Sequence, residues 1–382
     1  MIKRYQDRKI ESIWSKNYKY HTWKRLETTY LNQILFKNDT TKYLNVGAIS
    51  LESIENYEKT TKHEFVAFLK VLHNEYNRIY GKHNPDVLKY LHWGLTSSDI
   101  IDTTFSIQIN DSLNHLISLI IDLKASLIDK INQLDGLKTI GRTHGKHAEE
   151  INFSNRFKLL STELQHCISK ILDAKKNLYG KLQGPVGTSS LVKQDAAINT
   201  LLLFNLKEVP FATQVIPRIY YTDTMYSLVL LASVYERFAT FIRLSAIDEI
   251  NEIQESFTQG QTGSSAMPHK NNPIVSENIC GLSRYVKSNF QVALDNNNLW
   301  WERDISHSSN ERLIWPESFH IICNLTYKLK LLIENLQINK DQISNNLLNS
   351  PFNSHKELLQ ESESSNRFEA YSIVQNKYMN KV

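Results

Sequence analysis

Between Gly263 and Pro273 the chain reads Gly-Ser-Ser-Ala-Met-Pro-His-Lys-Asn-Asn-Pro. Two adjacent hydroxyls, a lysine and an amide follow a glycine, and two prolines stiffen the stretch. Gly260 and Gly263 give hinge freedom to an opening loop from about Ser256 to Asn278. This set suits elimination from a carbon acid. Such a reaction needs a base on a movable loop and fixed positive charge where a carboxylate gains electrons. The spacing fits neither the G-x-x-x-x-G-K-[ST] phosphate loop nor the G-x-S-x-G nucleophile elbow.

Three further segments carry chemistry. In His92-Trp93-Gly94-Leu95-Thr96-Ser97-Ser98-Asp99, hydroxyls precede a helix start, where they either cap the helix or help its N–H groups hold an anion. In Gly141-Arg142-Thr143-His144-Gly145-Lys146-His147-Ala148-Glu149, His144 stands at an expected helix entry and can titrate near neutral pH, or serves structure alone. His144 and His147 lack the third ligand and the helical spacing of a zinc site, so no metal is expected. In the stretch from Trp301 to Arg312, Arg303 and Arg312 can clamp a phosphate or carboxylate, or merely form a charged face. Together the four segments hold a candidate base, a candidate acid and several anion anchors. A small multi-anionic substrate would require all of these.

Long helices must position them. Leu113, Leu116, Ile120, Leu123, Leu127, Ile131 and Leu134 alternate steps of three and four. Thr96 and Asp99 form a capping-box-like start and Gly136 a stop, so the spacing predicts a helix of nearly forty residues. Further helices are expected from about Glu149 to Tyr179, Thr222 to Ser256, Ser276 to Asn298 and Ser318 to Leu336. These lengths exceed the globular mean of roughly 11–12 residues and predict an all-α, elongated bundle. Their broad apolar stripes predict burial against other copies of the chain. Residues 1–91 read as a shorter-helix region, and the chain turns polar from Pro351 before a weak helix around Arg367 to Tyr378.

Composition agrees. Only 12 glycines and 8 prolines occur in 382 residues, so turns are few. Lysine and arginine number 44 against 40 acids, and this dispersed excess leaves no footprint for nucleic acid. Cys167, Cys280 and Cys323 are odd in number and far apart, as in a reducing compartment. No signal-like apolar stretch follows the N-terminus, and the run near Leu228 to Val234 is too short to span a bilayer. A cytoplasmic protein without membrane contact is expected.

The stretch from Gly263 to Asn272 is similar to the G-S-S-x-x-P-x-K-x-N signature of the fumarase/aspartase superfamily. Met267-Pro268-His269-Lys270, Thr61-Lys62-His63-Glu64, Gly141-Arg142-Thr143-His144, the stretch from Glu302 to Ser309 and Ile2-Lys3-Arg4-Tyr5 resemble its adenylosuccinate lyase branch. The resemblance reaches to about Asn349. It implies three helical subdomains: an N-terminal one over 1–91, a central long-helix bundle over 92–344 and a shortened C-terminal one over 345–382. It also implies a homotetramer with a shared bundle and composite active sites, no cofactor, and release of fumarate from succinyl-AMP and from the succinylated aminoimidazole carboxamide ribotide. By the same resemblance Ser264 is the base and His144 the acid, with Glu277 holding His144. His63 lies near the phosphate and the reacting end. Arg4, Tyr5, Arg303, Ser308 and Arg312 anchor phosphate and ribose. Thr96, Ser97, Gln214, Lys270 and Asn272 hold the succinyl carboxylates.

The chain departs from the branch at Asn271, Glu150 and Ile219, where arginine, proline and a charged residue are usual. It stops at Val382, so part of the third subdomain is expected to be missing. Two other readings compete: a related lyase acting on a different substrate, and a non-catalytic scaffold of the same fold.

Overall fold

The structure is a computed structural model that describes residues 1–37, 42–257, 260 and 263–379. Fourteen α-helices dominate the described residues. After a 3-10 turn at Lys3–Tyr5 come α1 (Arg8–Ile13), α2 (Lys16–Phe36), α3 (Leu51–Thr61), α4 (Glu64–Tyr80) and α5 (Asp86–Tyr90). The long elements are α6 (Ser97–Leu134), α7 (Asn155–Lys176), α9 (Ile219–Ser245), α10 (Ile274–Asp295) and α11 (Ser306–Asn335), with the shorter α8 (Gln194–Leu203) among them. The last three are α12 (Lys340–Leu348), α13 (Ser354–Glu361) and α14 (Arg367–Met379). Among the described residues, six short strands form three two-stranded pairs: β1 (Lys138–Thr143) with β2 (Lys146–Asn152), β3 (Tyr179–Gly180) with β4 (Lys207–Glu208), and β5 (Ile253–Gln254) with β6 (Gln337–Ile338).

Two compact units are distinguishable. The first comprises Met1–Leu119, Cys167–Ala232 and Tyr285–Asn324, and the second Ile120–His166, Ser233–Arg284 and Leu325–Val382. The first unit centres on aromatic packing. Trp23 meets Phe65 at 5.0 Å and Phe68 at 5.3 Å, and Phe105 meets Tyr221 at 4.9 Å and Trp315 at 5.7 Å. Edge-on rings of this kind add to plain area burial. The second unit buries Leu123, Leu127, Leu160, Leu164, Ile242, Leu329 and Ile333 around a Phe157–Phe238 contact of 5.4 Å.

The forty-residue helix is α6. The Asp99 carboxylate accepts from the Thr96 N–H at 2.8 Å, which is the carboxylate half of a capping box, and Gly136 follows the helix at φ +80°. Three boundaries differ from the periodicity. The expected helix from Glu149 begins only at Asn155, because Lys138–Asn152 forms an antiparallel hairpin. The helix expected to reach Ser256 ends at Ser245, although Ala246 and Ile250 continue the apolar rhythm; the chain turns through Asn251 at φ +46°. The last long helix starts at Ser306 rather than Ser318, with Pro316 inside it. Helix α9 is long and apolar enough to cross a bilayer by length and composition, and half of its most apolar stretch is buried inside the protein, as in a core helix.

Candidate active site

The second unit carries the groups expected to move protons. His144 lies at the tip of the β1–β2 hairpin, not at a helix entry. His144 and Gly145 form the two-residue turn between paired Thr143 and Lys146, at φ +52° and +74°. Two consecutive positive φ values define a tight hairpin turn whose twist matches that of the strands, and glycine fits its second position. His144 is exposed at this tip. Among the described residues no hydrogen bond or ion pair joins it to Glu277, which is exposed on the first turn of α10.

The Ser264 loop folds on itself. Ser264 Oγ accepts from the backbone N–H groups of Ala266 at 3.3 Å and Met267 at 3.1 Å. Two donors aimed at one oxygen favour its anionic form. Asn272 Nδ2 donates to the Gly263 carbonyl at 3.1 Å, and the Lys270 N–H donates to Met267 at 3.1 Å. A Cβ on Gly263 would stand 2.1 Å from the Lys270 carbonyl, so no other residue fits there without a shift. The Lys270 side chain is exposed.

Both segments are held at their bases by acids outside every sequence motif. Glu252 has a fully buried side chain. It accepts from Arg142 at 2.8 Å, Asn346 at 3.0 Å and Arg156 at 3.2 Å. Burial alone would raise its carboxyl, but Arg142 and Asn346, with the charge of Arg156, outweigh it and hold it below the usual range. Glu255 accepts from the N–H groups of Val275 at 3.0 Å and Ser276 at 2.8 Å, and from the Ser276 hydroxyl at 2.6 Å.

The first unit carries the expected anion anchors. Arg4 and Tyr5 lie in the opening 3-10 turn, Arg4 exposed and Tyr5 half-buried. Thr96 and Ser97, half-buried, start α6. Gln214 is a junction: its Nε2 donates to the Pro185 carbonyl at 2.9 Å, and its Oε1 accepts from Arg303 at 2.7 Å. Ser308 and Arg312 lie one turn apart on the opening turns of α11, so that part of the expected loop is helix. His63 caps α4, its Nδ1 accepting from the Val66 N–H at 3.4 Å. That bond leaves Nε2 to carry the proton of the neutral ring.

Buried ion networks fix this region. Lys181 and Asp99 form a pair with both side chains inaccessible, and Asp99 also accepts from the Gln183 and Gly184 N–H groups. Arg218 forks onto Asp102 at 2.7 and 3.1 Å and onto Glu311 at 3.2 Å through two nitrogens. Burial alone would raise Asp102, but Arg218 holds it low; burial pushes Glu311 up, and Arg218 offsets this only in part. Burial and then the Arg218 charge push His307 down to about 4, so its ring is neutral. His92, at φ +56°, pairs with the buried Glu27 at 2.6 Å, and His147 meets Ser350 Oγ at 2.8 Å.

Asp102, Lys181, Arg218, Glu252 and Glu255 escaped the motif reading, while Asp99 was read only as a helix cap and Glu311 lay in the Trp301–Arg312 stretch without a role. One signal was available: Gly184-Pro-Val-Gly187-Thr-Ser-Ser spends two scarce glycines on one turn. Both have positive φ, and a Cβ on Gly187 would lie 2.0 Å from the Ala212 carbonyl. Among the described residues no group of three or more His, Cys, Asp or Glu is placed to hold a metal ion.

The fold is that of the fumarate lyase superfamily. A fumarate lyase from Mesorhizobium sp. BNC1 superposes with a TM-score of 0.82 at 19% identity, covering 98% of this chain and 86% of that one. The 3-carboxy-cis,cis-muconate lactonizing enzyme from Pseudomonas putida does so at 0.82 and 16% identity, covering 98% and 85%. The sequence is closer to other proteins. An adenylosuccinate lyase of Aquifex aeolicus is 35% identical over 91% of this chain and 80% of its own length. That of Thermotoga maritima is 32% identical over 98% and 87%. A family described as Lyase matches residues 12–287. The chain belongs to this lyase family, within the fumarase/aspartase superfamily, and is a carbon–nitrogen lyase.

Proposed function

We propose that the enzyme cleaves succinyl-AMP to AMP and fumarate, and the succinylated aminoimidazole carboxamide ribotide to its carboxamide and fumarate. The cradle of two backbone N–H groups around Ser264 Oγ is the observation that carries this reading. The two relatives named adenylosuccinate lyase support the substrate.

Ser264, deprotonated, removes a proton from the carbon beside one succinyl carboxylate. The C–H electrons pass into that carboxylate, which becomes doubly anionic. They then return to form the carbon–carbon double bond while the C–N bond breaks toward nitrogen. His144 gives the departing nitrogen its proton, and Glu277 orients His144. Lys270, Asn272, Thr96, Ser97 and Gln214 hold the succinyl carboxylates. Arg4, Tyr5, His63, Arg303, Ser308 and Arg312 hold phosphate and ribose. Loop closure excludes water, which strengthens every charge interaction.

The acid, the base and the anchors are read as meeting in composite sites of a homotetramer in the cytoplasm. In this reading, 1–91, 92–344 and 345–382 serve as its three subdomains. The exposed His144, without an orienting partner in its own chain among the described residues, fits a partner supplied by another copy. Release of fumarate from purified protein and succinyl-AMP tests the proposal. A folded tetramer without turnover would end it.

A further inference from the structure

A two-stranded hairpin is marginal on its own, and this one has little core. In β1 only Thr139 and Ile140 are buried, and β2 has no buried residue. Its outer half must be held by side chains from elsewhere. Among the described residues, three tethers reach it. His355 pairs with Glu149, but both side chains are more than half exposed, and such pairs contribute little. Ser350 Oγ meets His147, which is also exposed. The third tether is Arg142 to Glu252, and it alone ends on an inaccessible carboxylate. Glu252 grips β1 twice, because Arg156, its other arginine, donates through Nη2 to the Ile140 carbonyl at 3.2 Å.

Glu252 immediately precedes β5 and Glu255 follows it. Strand β5 is fixed in turn, since Ile253 pairs with Ile338 and the Asn339 N–H donates to the Glu252 carbonyl at 3.0 Å. Glu255 occupies the N–H groups at the start of α10, where the Ser264 loop ends, while the loop departs from Glu255 itself. One carboxylate therefore joins both ends of that loop, and one three residues earlier joins the histidine hairpin.

We propose that Glu252 and Glu255 are positioning residues that divide the work: Glu252 sets the hairpin presenting His144, and Glu255 sets the two ends of the Ser264 loop. This rests on reading those two residues as acid and base. Neither glutamate touches substrate. Each acts through the element it ties.

The test is amide exchange by mass spectrometry on the intact protein, beside steady-state kinetics on succinyl-AMP. Glu252→Gln is expected to speed exchange across 138–152 by roughly tenfold or more and to leave the first turn of α10 unchanged. Glu255→Gln is expected to do the reverse. Both should lower kcat by about tenfold or more while KM stays within about threefold, and Glu252→Asp should recover part of the loss. If Glu252→Gln does not fold, Asn346→Ala removes one of the bonds to Glu252 and should loosen the same hairpin more weakly. Unchanged exchange, or equal loosening of both segments by either variant, overturns the proposal. If wild-type protein shows no turnover, the substrate reading fails, and the exchange pattern still decides the brace.

Discussion

The two units treat charge in opposite ways. The first buries it: Asp99 with Lys181, and Asp102 with Arg218 and Glu311, are closed networks in the unit that carries the expected anion anchors. The second exposes His144 on a hairpin tip and Lys270 on a loop, and buries the carboxylates Glu252 and Glu255 at their bases. Under the proposed roles, anchors beside buried networks are set before substrate arrives. Under the same roles, an acid and a base on tethered loops can still close. Under the proposed roles, the first unit carries the phosphate and ribose anchors, and the second carries the acid, the base and part of the carboxylate grip.

The largest expected break comes from Ser264→Ala, which should lower kcat by about 10²–10⁴-fold, in the range for removal of a general base. Quantified fumarate release checks it. Arg218→Ala should destabilise the protein by about 3–5 kcal/mol, because it strands two buried carboxylates. Denaturant titration measures that loss. A surface-sized cost would mean that the first unit is not organised by its buried charges.

Acid should separate the units. Glu252 has a folded-state carboxyl below its ordinary value, so its stabilisation is full above the unfolded value near about 4.3 and is lost as pH falls through the lower folded value. Asp102 behaves likewise. Glu311, with a raised carboxyl, takes up its proton at higher pH and gains relative stability on acidification. Two opposed carboxylates blunt the acid response of the Arg218 network, whereas Glu252 has no such offset. Exchange measured as pH is lowered below 5 should therefore loosen 138–152 before the Asp102–Arg218 region. The smallest effect belongs to His355→Ala, which breaks an exposed pair and should change stability by less than about 1 kcal/mol. A thermal melt suffices to check it.

Long apolar periodicity made the helices readable, and the cap at Thr96 and Asp99 located α6 closely. The hairpin was missed because Lys138–Thr143 has few core contacts and no clean alternation; its one signal was the His-Gly pair that formed the turn. Pro316 misplaced the start of α11, since a proline usually opens or ends a helix rather than sitting inside one. Motif residues could be nominated because they sit in dense local clusters. The bracing acids were not: Glu252 meets Arg142 across 110 residues and Asp102 meets Arg218 across 116, and no local pattern encodes such pairs.

The most direct measurement is equilibrium binding of succinyl-AMP to the folded Ser264→Ala protein, with its turnover followed in the same samples. Saturable binding with turnover reduced by about 10²-fold or more is the result expected under the proposed roles. Turnover at the wild-type rate, or loss of binding together with turnover, would contradict them.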